Sequence, residues 1–223
     1  MNITLIIFDL DGTLVDSSGD LTAALNHAAV PLGHAPRSVA EVKRLVGEGV
    51  SRLVDKILDD SERGFKAEAL ERFRAHYEAH LTDLTRPYAG VAATLPLLAG
   101  YKMAVVSNKE TDLSRRVLAE FGLLDHFDIV MGSDSAPEKK PSPVPLLLAA
   151  EQAGVIPCNA LIVGDSEFDI IAGRAAGILT IGAAWGFRSR EELLAAGADY
   201  IAHSFIDLPR IIGEIEAAAT SAI

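Results

Sequence analysis

The feature that most limits how this chain can fold is an alternation. Five short apolar runs, at 3–8, 103–106, 129–131, 161–163 and 179–181, are too short for helices and are mostly β-branched or aliphatic. Helical patterns lie between the later runs, at 111–120, 143–153, 167–176 and 190–196, and 207–218 reads as a closing helix. Strands separated by helices pair in parallel, with helices on both faces. The expected class is therefore α/β, with a Rossmann-like parallel-sheet core.

The stretch 18–85 breaks the alternation. It shows no strand pattern and several amphipathic helical stretches. Over 68–81, Leu70, Phe73, Tyr77 and Leu81 recur at three- and four-residue spacing, which is one helical face. This reads as a helical cap domain inserted after the first strand. The expected division is 1–17 and 86–223 for the α/β core and 18–85 for the cap, with hinges at 15–18 and 84–88. The Ala-rich tail, 216–223, is expected to fray.

A chain of 223 residues, 49% hydrophobic and 23% charged, can bury such a core. Its formal charge of −11 argues against nucleic acid and anionic membrane surfaces, both of which reward basic patches. No apolar run approaches the ~20 residues of a membrane helix. The opening MNITLIIFDLD has neither the basic segment nor the apolar length of a secretion signal. A cytoplasmic protein is expected. Cys158 is the single cysteine, so neither an internal disulfide nor a cysteine zinc cluster can form. It reads as a small packing residue.

The chemistry concentrates at strand ends. Asp9 and Asp11 close the first strand, and side chains two apart point the same way. Open parallel sheets bind ligands beyond the carboxyl ends of their strands. Two carboxylates there raise one another's pKa unless a cation sits between them. The second strand ends in Ser107-Asn108-Lys109, and the fourth in Gly164-Asp165-Ser166-Glu167-Phe168-Asp169. Lys140 stands in the proline-stiffened loop Glu138-Lys139-Lys140-Pro141-Ser142-Pro143. Taken singly, Ser107 and Asp165 read equally as helix caps and Lys140 as a surface charge. Together the carboxylates, hydroxyl, amide and ammonium suit Mg²⁺ and a phosphate group.

In order along the chain, Asp9-Leu10-Asp11-Gly12-Thr13-Leu14, Ser107-Asn108, Lys140-Pro141 and Gly164-Asp165-Ser166-x-x-Asp169 resemble the four motifs of the haloacid-dehalogenase superfamily of phosphohydrolases. Tyr88-Ala89-Gly90-Val91, Val46-Gly47-Glu48-Gly49 and the extended second and third motifs are most similar to phosphoglycolate phosphatases. The resemblance implies Asp9 as nucleophile and Asp11 as acid/base. It implies Mg²⁺ on Asp9, Asp165 and the Asp11 carbonyl, with Asp169 supporting the metal's water or orienting Lys140. Ser107 and Asn108 would bind the phosphoryl group, Lys140 would pair with Asp9 and that group, Gly12 would let the backbone turn close to the phosphate, and Thr13 would cap or contact the same site. Gly47 and Glu48 would form the cap's specificity loop; a plain helix–helix turn is the other reading of that stretch.

The implied partner is a small phosphorylated metabolite, with 2-phosphoglycolate the foremost candidate and the chain a monomer or homodimer. A sugar-phosphate mutase, phosphonatase, pyrophosphatase or nucleotidase of the same superfamily is the alternative, and a phosphate-binding regulatory protein is the non-enzyme one. A phosphonatase would need a cap lysine, from Lys43, Lys56 or Lys66. Lys43 and Arg44 read as exposed helix charges or as partners of a substrate carboxylate. His76 and His80 lie four apart on one helix without a third metal ligand. Trp185-Gly186-Phe187 reads as an active-site rim or an aromatic lid over the core, and Arg188 and Arg190 as solvated charges.

Overall fold

The computed structural model describes residues 2–58 and 64–220. In chain order the strands are β1 (Leu5–Phe8), β2 (Val15–Asp16), β3 (Arg86–Pro87), β4 (Lys102–Val106), β5 (Ile129–Met131), β6 (Ala160–Gly164), β7 (Leu179–Ala183) and β8 (Tyr200–Ala202). The helices are α1 (Ser18–Ala29), α2 (Val39–Leu45), α3 (Val50–Asp55), α4 (Lys66–Ala79), α5 (Val91–Thr94), α6 (Thr111–Glu120), α7 (Val144–Gln152), α8 (Glu167–Ala176), α9 (Arg190–Ala196) and α10 (Leu208–Thr220). Six strands form one sheet in the order β5-β4-β1-β6-β7-β8, and every neighbouring pair is parallel. The expected α/β class is what the chain adopts.

Strand alternation divides the core between the two faces. Ile6 and Phe8 point to one face with Met103, Val105, Leu161 and Val163, where α6 and α10 cover them. Leu5 and Ile7 point to the other, with Ala104, Val106 and Ile162, under α7 and α8. Phe8 is fully buried between Phe127, edge-on at 6.0 Å, and Phe205, stacked at 5.7 Å. Cutting such a ring back to alanine costs about 3–5 kcal/mol. Strand order reverses at β1: the chain goes outward to β4 and β5, then returns to β6 on its other side. A crevice opens beyond the carboxyl ends at such a point.

Between β2 and β3 the chain forms α1 to α4. Helix α1 packs along α4 and α2. Phe73 and Tyr77 of the sequence stripe are buried, and Leu81 lies just past the end of α4. Helix α2 starts on a capping box, in which Ser38 and Glu41 satisfy each other's backbone N–H. The chain enters and leaves this helical segment through the antiparallel β2–β3 ribbon, where Val15 opposes Pro87 and Asp16 opposes Arg86. Buried Asp20 of α1 fastens the exit: it accepts from Leu84 N at 3.0 Å, Thr85 N at 2.8 Å and Thr85 Oγ1 at 2.6 Å.

Two expectations need correction, and one strand was not foreseen. Cys158 is exposed, because it sits in the turn Pro157–Asn159 and burial begins only at Ala160. The tail does not fray from 216: α10 runs to Thr220, carried by the buried face of Ile211, Ile212 and Ile215. Positions 221–223 of that tail lie outside the described residues. Strand β8 was not anticipated, since Tyr200-Ile201-Ala202 is a run of only three apolar residues and only Ala202 of them is buried.

Candidate active site

The carboxyl end of β1 builds the floor of the site. Pairing with β6 continues one residue past the strand, through Asp9 N to Val163 O at 3.0 Å. The chain then folds back, with Gly12 N on Val15 O at 2.8 Å and Val15 N on Leu10 O at 3.1 Å. Gly12 has φ +96°, and a Cβ there would lie 2.1 Å from Asp165 Oδ2. Only glycine allows both this turn and this approach. Asp9 and Asp11 thereby line one cavity with Ser107, Lys140 and Asp165, roofed by Gly47, Phe73 and Tyr77 of the helical segment.

Lys140 is the knot of the site. Its side chain is 2% exposed, and its three N–H donors are all used: Asp9 Oδ1 at 2.8 Å, Asp169 Oδ1 at 2.6 Å and Val106 O at 2.7 Å. Asp169 is fully buried, and its Oδ2 accepts from Ser166 N at 3.1 Å and Ser166 Oγ at 2.6 Å at the start of α8. Both Asp169 oxygens are thus committed within the chain. Asp165 Oδ2 accepts from Phe187 N at 2.7 Å and its Oδ1 from Thr13 Oγ1 at 3.3 Å.

Three buried carboxylates around one ammonium leave an excess of negative charge. Burial pushes the Asp9 carboxyl up to about 7; Lys140 opposes this, while Asp169 and Asp11 add to it. Burial, then Asp9 and Asp169, hold Asp165 well above the usual carboxylate range, against the Phe187 N–H. Burial alone would lower Lys140, but Asp169 and Asp9 outweigh it and raise it. Asp9, Asp165 and Asp169 each bring a carboxylate oxygen within 4.8 Å of the others. Hard oxygens carrying uncompensated charge fit a hard divalent cation.

Other residues singled out in the sequence arrive in different ways. Ser107 is buried at the cavity, with its Oγ accepting from Lys109 N at 3.2 Å. The Asn108 amide is spent within the chain: Nδ2 donates to Gly47 O at 2.7 Å and Lys140 O at 2.9 Å, and Oδ1 accepts from Lys140 N at 3.0 Å. It ties the strand end to the lysine loop and to the helical segment. Gly47 lines the cavity, whereas Glu48 is paired with Lys56 at 2.6 Å outside it. Lys43 pairs with Asp16 at 2.9 Å and Lys66 with Asp55 at 2.6 Å, while Arg44 is exposed. His76 stacks on His27 and His80, ring centroids 4.5 Å apart in each pair. Among the described residues their nitrogens join no convergent metal-ligand group.

Two groups were not legible as site residues. Lys109 is buried and its Nζ lies 2.6 Å from Asp11 Oδ1. Arg188 is the second, and the reading of it as a solvated charge is corrected. It is 8% exposed and donates to Glu167 Oε2 at 3.0 Å, Lys43 O at 2.8 Å and Val46 O at 2.8 Å. It leaves water because the carbonyls at the end of α2 replace its hydration. Arg190 is exposed, as expected. Trp185 Nε1 donates to Thr13 O at 3.0 Å, so the loop after β7 lies against the site floor. Gly186 fits there because a Cβ would meet Asp165 Cβ at 2.2 Å.

A family model for haloacid dehalogenase-like hydrolases matches residues 6–183. The phosphoglycolate phosphatase of Neisseria meningitidis is 42% identical over 189 residues, covering 82% of this chain and 80% of the relative. That of Aquifex aeolicus is 43% identical over 184 residues, covering 82% and 85%. The crystal structure of a predicted phosphoglycolate phosphatase from Haemophilus somnus superposes with a TM-score of 0.87 at 32% identity, covering 95% of this chain and 99% of the other.

Proposed function

The chain belongs to the haloacid dehalogenase-like hydrolase family and is a phosphatase; we propose that it hydrolyses 2-phosphoglycolate to glycolate and phosphate, using Mg²⁺. The observation that carries the reading is the Lys140 knot. It holds Asp9 at the cavity with Oδ1 fixed at 2.8 Å and leaves Oδ2 without a hydrogen-bond donor among the described residues. The relatives' names supply the substrate. Hydrolases of this family generally use a divalent metal, and Asp9 and Asp165 would hold it; when bound, it offsets repulsion between the phosphate and Asp9.

Asp9 Oδ2 attacks phosphorus, forming an aspartyl-phosphate as the bond to the leaving oxygen breaks. Asp11 gives its proton to that oxygen, releasing glycolate. It then takes a proton from the water that attacks phosphorus, so phosphate leaves and the Asp9 carboxylate returns. Ser107 Oγ–H and the Asn108 backbone N–H donate to the phosphoryl oxygens. Asp169 orients Lys140, and Thr13 orients Asp165. Residues 18–85 act as a cap that excludes water while the leaving group is in place, with 1–17 and 86–223 as the catalytic core. Lys43, Lys56 and Lys66 are drawn into ion pairs and none of the three lines the cavity, where the Schiff-base lysine of a phosphonatase would have to stand.

The test is phosphate release with Mg²⁺ from 2-phosphoglycolate, hexose phosphates, phosphonoacetaldehyde, pyrophosphate and nucleoside monophosphates. The proposal expects the highest kcat/KM on 2-phosphoglycolate. A higher value on any other compound refutes the substrate assignment.

A further inference from the structure

Lys109 has no part in the chemistry above. It follows Asn108 directly, and its side chain is 6% exposed. A buried ammonium must be paired, and this one does not join the Lys140 knot. Its partner is Asp11, with Nζ 2.6 Å from Oδ1. The Ser17 hydroxyl donates to the same oxygen at 2.5 Å. These are the side-chain hydrogen bonds of Asp11 among the described residues, and both end on Oδ1. Oδ2 accepts none, and Asp11 lines the cavity.

That asymmetry has a chemical consequence. The torsion that turns a carboxyl group is broad, so an unrestrained aspartate presents either oxygen. Here two donors arrive from different elements, Lys109 from the end of β4 and Ser17 from the entry to α1. With Oδ1 facing an ammonium and a hydroxyl, a proton on Asp11 resides on Oδ2. Tyr77 of α4 closes over Lys109, its buried ring centroid 5.3 Å from Nζ. A cation over an aromatic face is attracted to it.

We infer that Lys109 is a positioning residue for Asp11: with Ser17 it holds Oδ1, so that the proton passed to the leaving oxygen travels on Oδ2, and Tyr77 keeps Lys109 in place. The inference rests on the reading of Asp11 as the acid/base. In the step concerned, the bond from phosphorus to the leaving oxygen breaks and its electron pair stays on that oxygen. The Oδ2 proton then neutralises the alkoxide. A nitrophenolate needs no such proton at neutral pH, and a phenolate needs it less than an alkoxide does.

The test is kcat/KM, which covers steps through phosphoryl transfer to Asp9. It is measured with saturating Mg²⁺ on 2-phosphoglycolate, phenyl phosphate and 4-nitrophenyl phosphate. The proteins are wild type, Lys109→Met, Lys109→Arg, Ser17→Ala and Asp11→Asn. Lys109→Met is expected to lose about 100-fold on 2-phosphoglycolate, the lower range of general acid catalysis, and only a few-fold on 4-nitrophenyl phosphate. Phenyl phosphate falls between them, Lys109→Arg recovers most of the loss, and Ser17→Ala shows the same ordering more weakly.

Equal losses on all three substrates overturn the inference. So does a loss on 2-phosphoglycolate alone with both aryl phosphates unchanged, which marks Lys109 as a contact to the substrate's carboxylate. Asp11→Asn separates the two levels. If it shows no leaving-group dependence, the acid/base reading fails and takes the inference with it; if it does and Lys109→Met does not, only the inference fails. Should Lys109→Met not fold, Lys109→Arg and Ser17→Ala carry the comparison, and absence of the ordering in both overturns it.

Discussion

Replacing Lys140 by methionine tests the knot of the site most severely. Methionine fills a similar volume but removes three donors at 2.6 to 2.8 Å, two of them to buried carboxylates. Asp9 and Asp169 are then left without their shared cation. Removing one partner of a buried ion pair costs about 3–5 kcal/mol, because the remaining charge is buried and uncompensated. For a chain of this size each kcal/mol moves Tm by roughly 2–4 °C, so the expected loss is on the order of 10 °C. Urea and thermal unfolding in excess chelator measure it, since a bound cation would mask part of the loss at Asp9. Adding Asp169→Asn to Lys140→Met should recover part of the loss, because the amide carries no charge and can keep a hydrogen bond to Ser166. A loss under about 1 kcal/mol, the range of an exposed ion pair, refutes the reasoning. So does a double variant whose loss equals the sum of the single losses.

Three further outcomes follow from the same geometry. In excess chelator, Asp9 titrates near 7 in the folded chain against an ordinary 3.8, so the folded form holds a proton that the unfolded chain has lost. That contribution is full below the lower value and is lost as pH rises through the higher one; Tm should fall between about pH 4 and 7, level off above that and flatten with Mg²⁺, and equal slopes with and without Mg²⁺ would contradict this. Gly12→Ala places a methyl group 2.1 Å from Asp165 Oδ2 at φ +96°, and should weaken Mg²⁺ binding by about 10- to 100-fold in calorimetric titration. Unchanged affinity would count against Asp165 as a metal ligand. Arg188→Ala removes the bonds to Lys43 O and Val46 O and should quicken proteolysis within the helical segment and raise KM, with unchanged cleavage rates as the contrary result.

What could be read in advance divides along physical lines. Asp9 and Asp11 were legible because the strand before them is short, apolar and buried, so its end is visible and the two-residue period fixes their side. Asp165 and Asp169 were legible because a strand end and a helix start flank them. Lys109 and Arg188 were not, since a lysine or arginine after a turn reads as a solvated charge, and only tertiary packing brings Asp11 or the end of α2 to meet it. The Asn108 amide looked available for the phosphoryl group, yet its donors go to two carbonyls far off in sequence, Gly47 and Lys140. Strand β8 escaped for a different reason. It lies at the sheet edge, where a short, partly exposed run, Tyr200-Ile201-Ala202, gives a weaker signal than the buried central strands.

The central claim is that Asp9 carries the phosphoryl group during turnover. Rapid acid quenching during a single turnover of 2-phosphoglycolate, followed by peptide mass analysis, tests it directly. The account predicts a transient peptide heavier by one phosphoryl group, with the modification on Asp9, lengthened in lifetime by Asp11→Asn and absent from Asp9→Asn, which also releases no phosphate. Phosphate release from Asp9→Asn at the wild-type rate, or a phosphoryl group trapped on another residue, would contradict it.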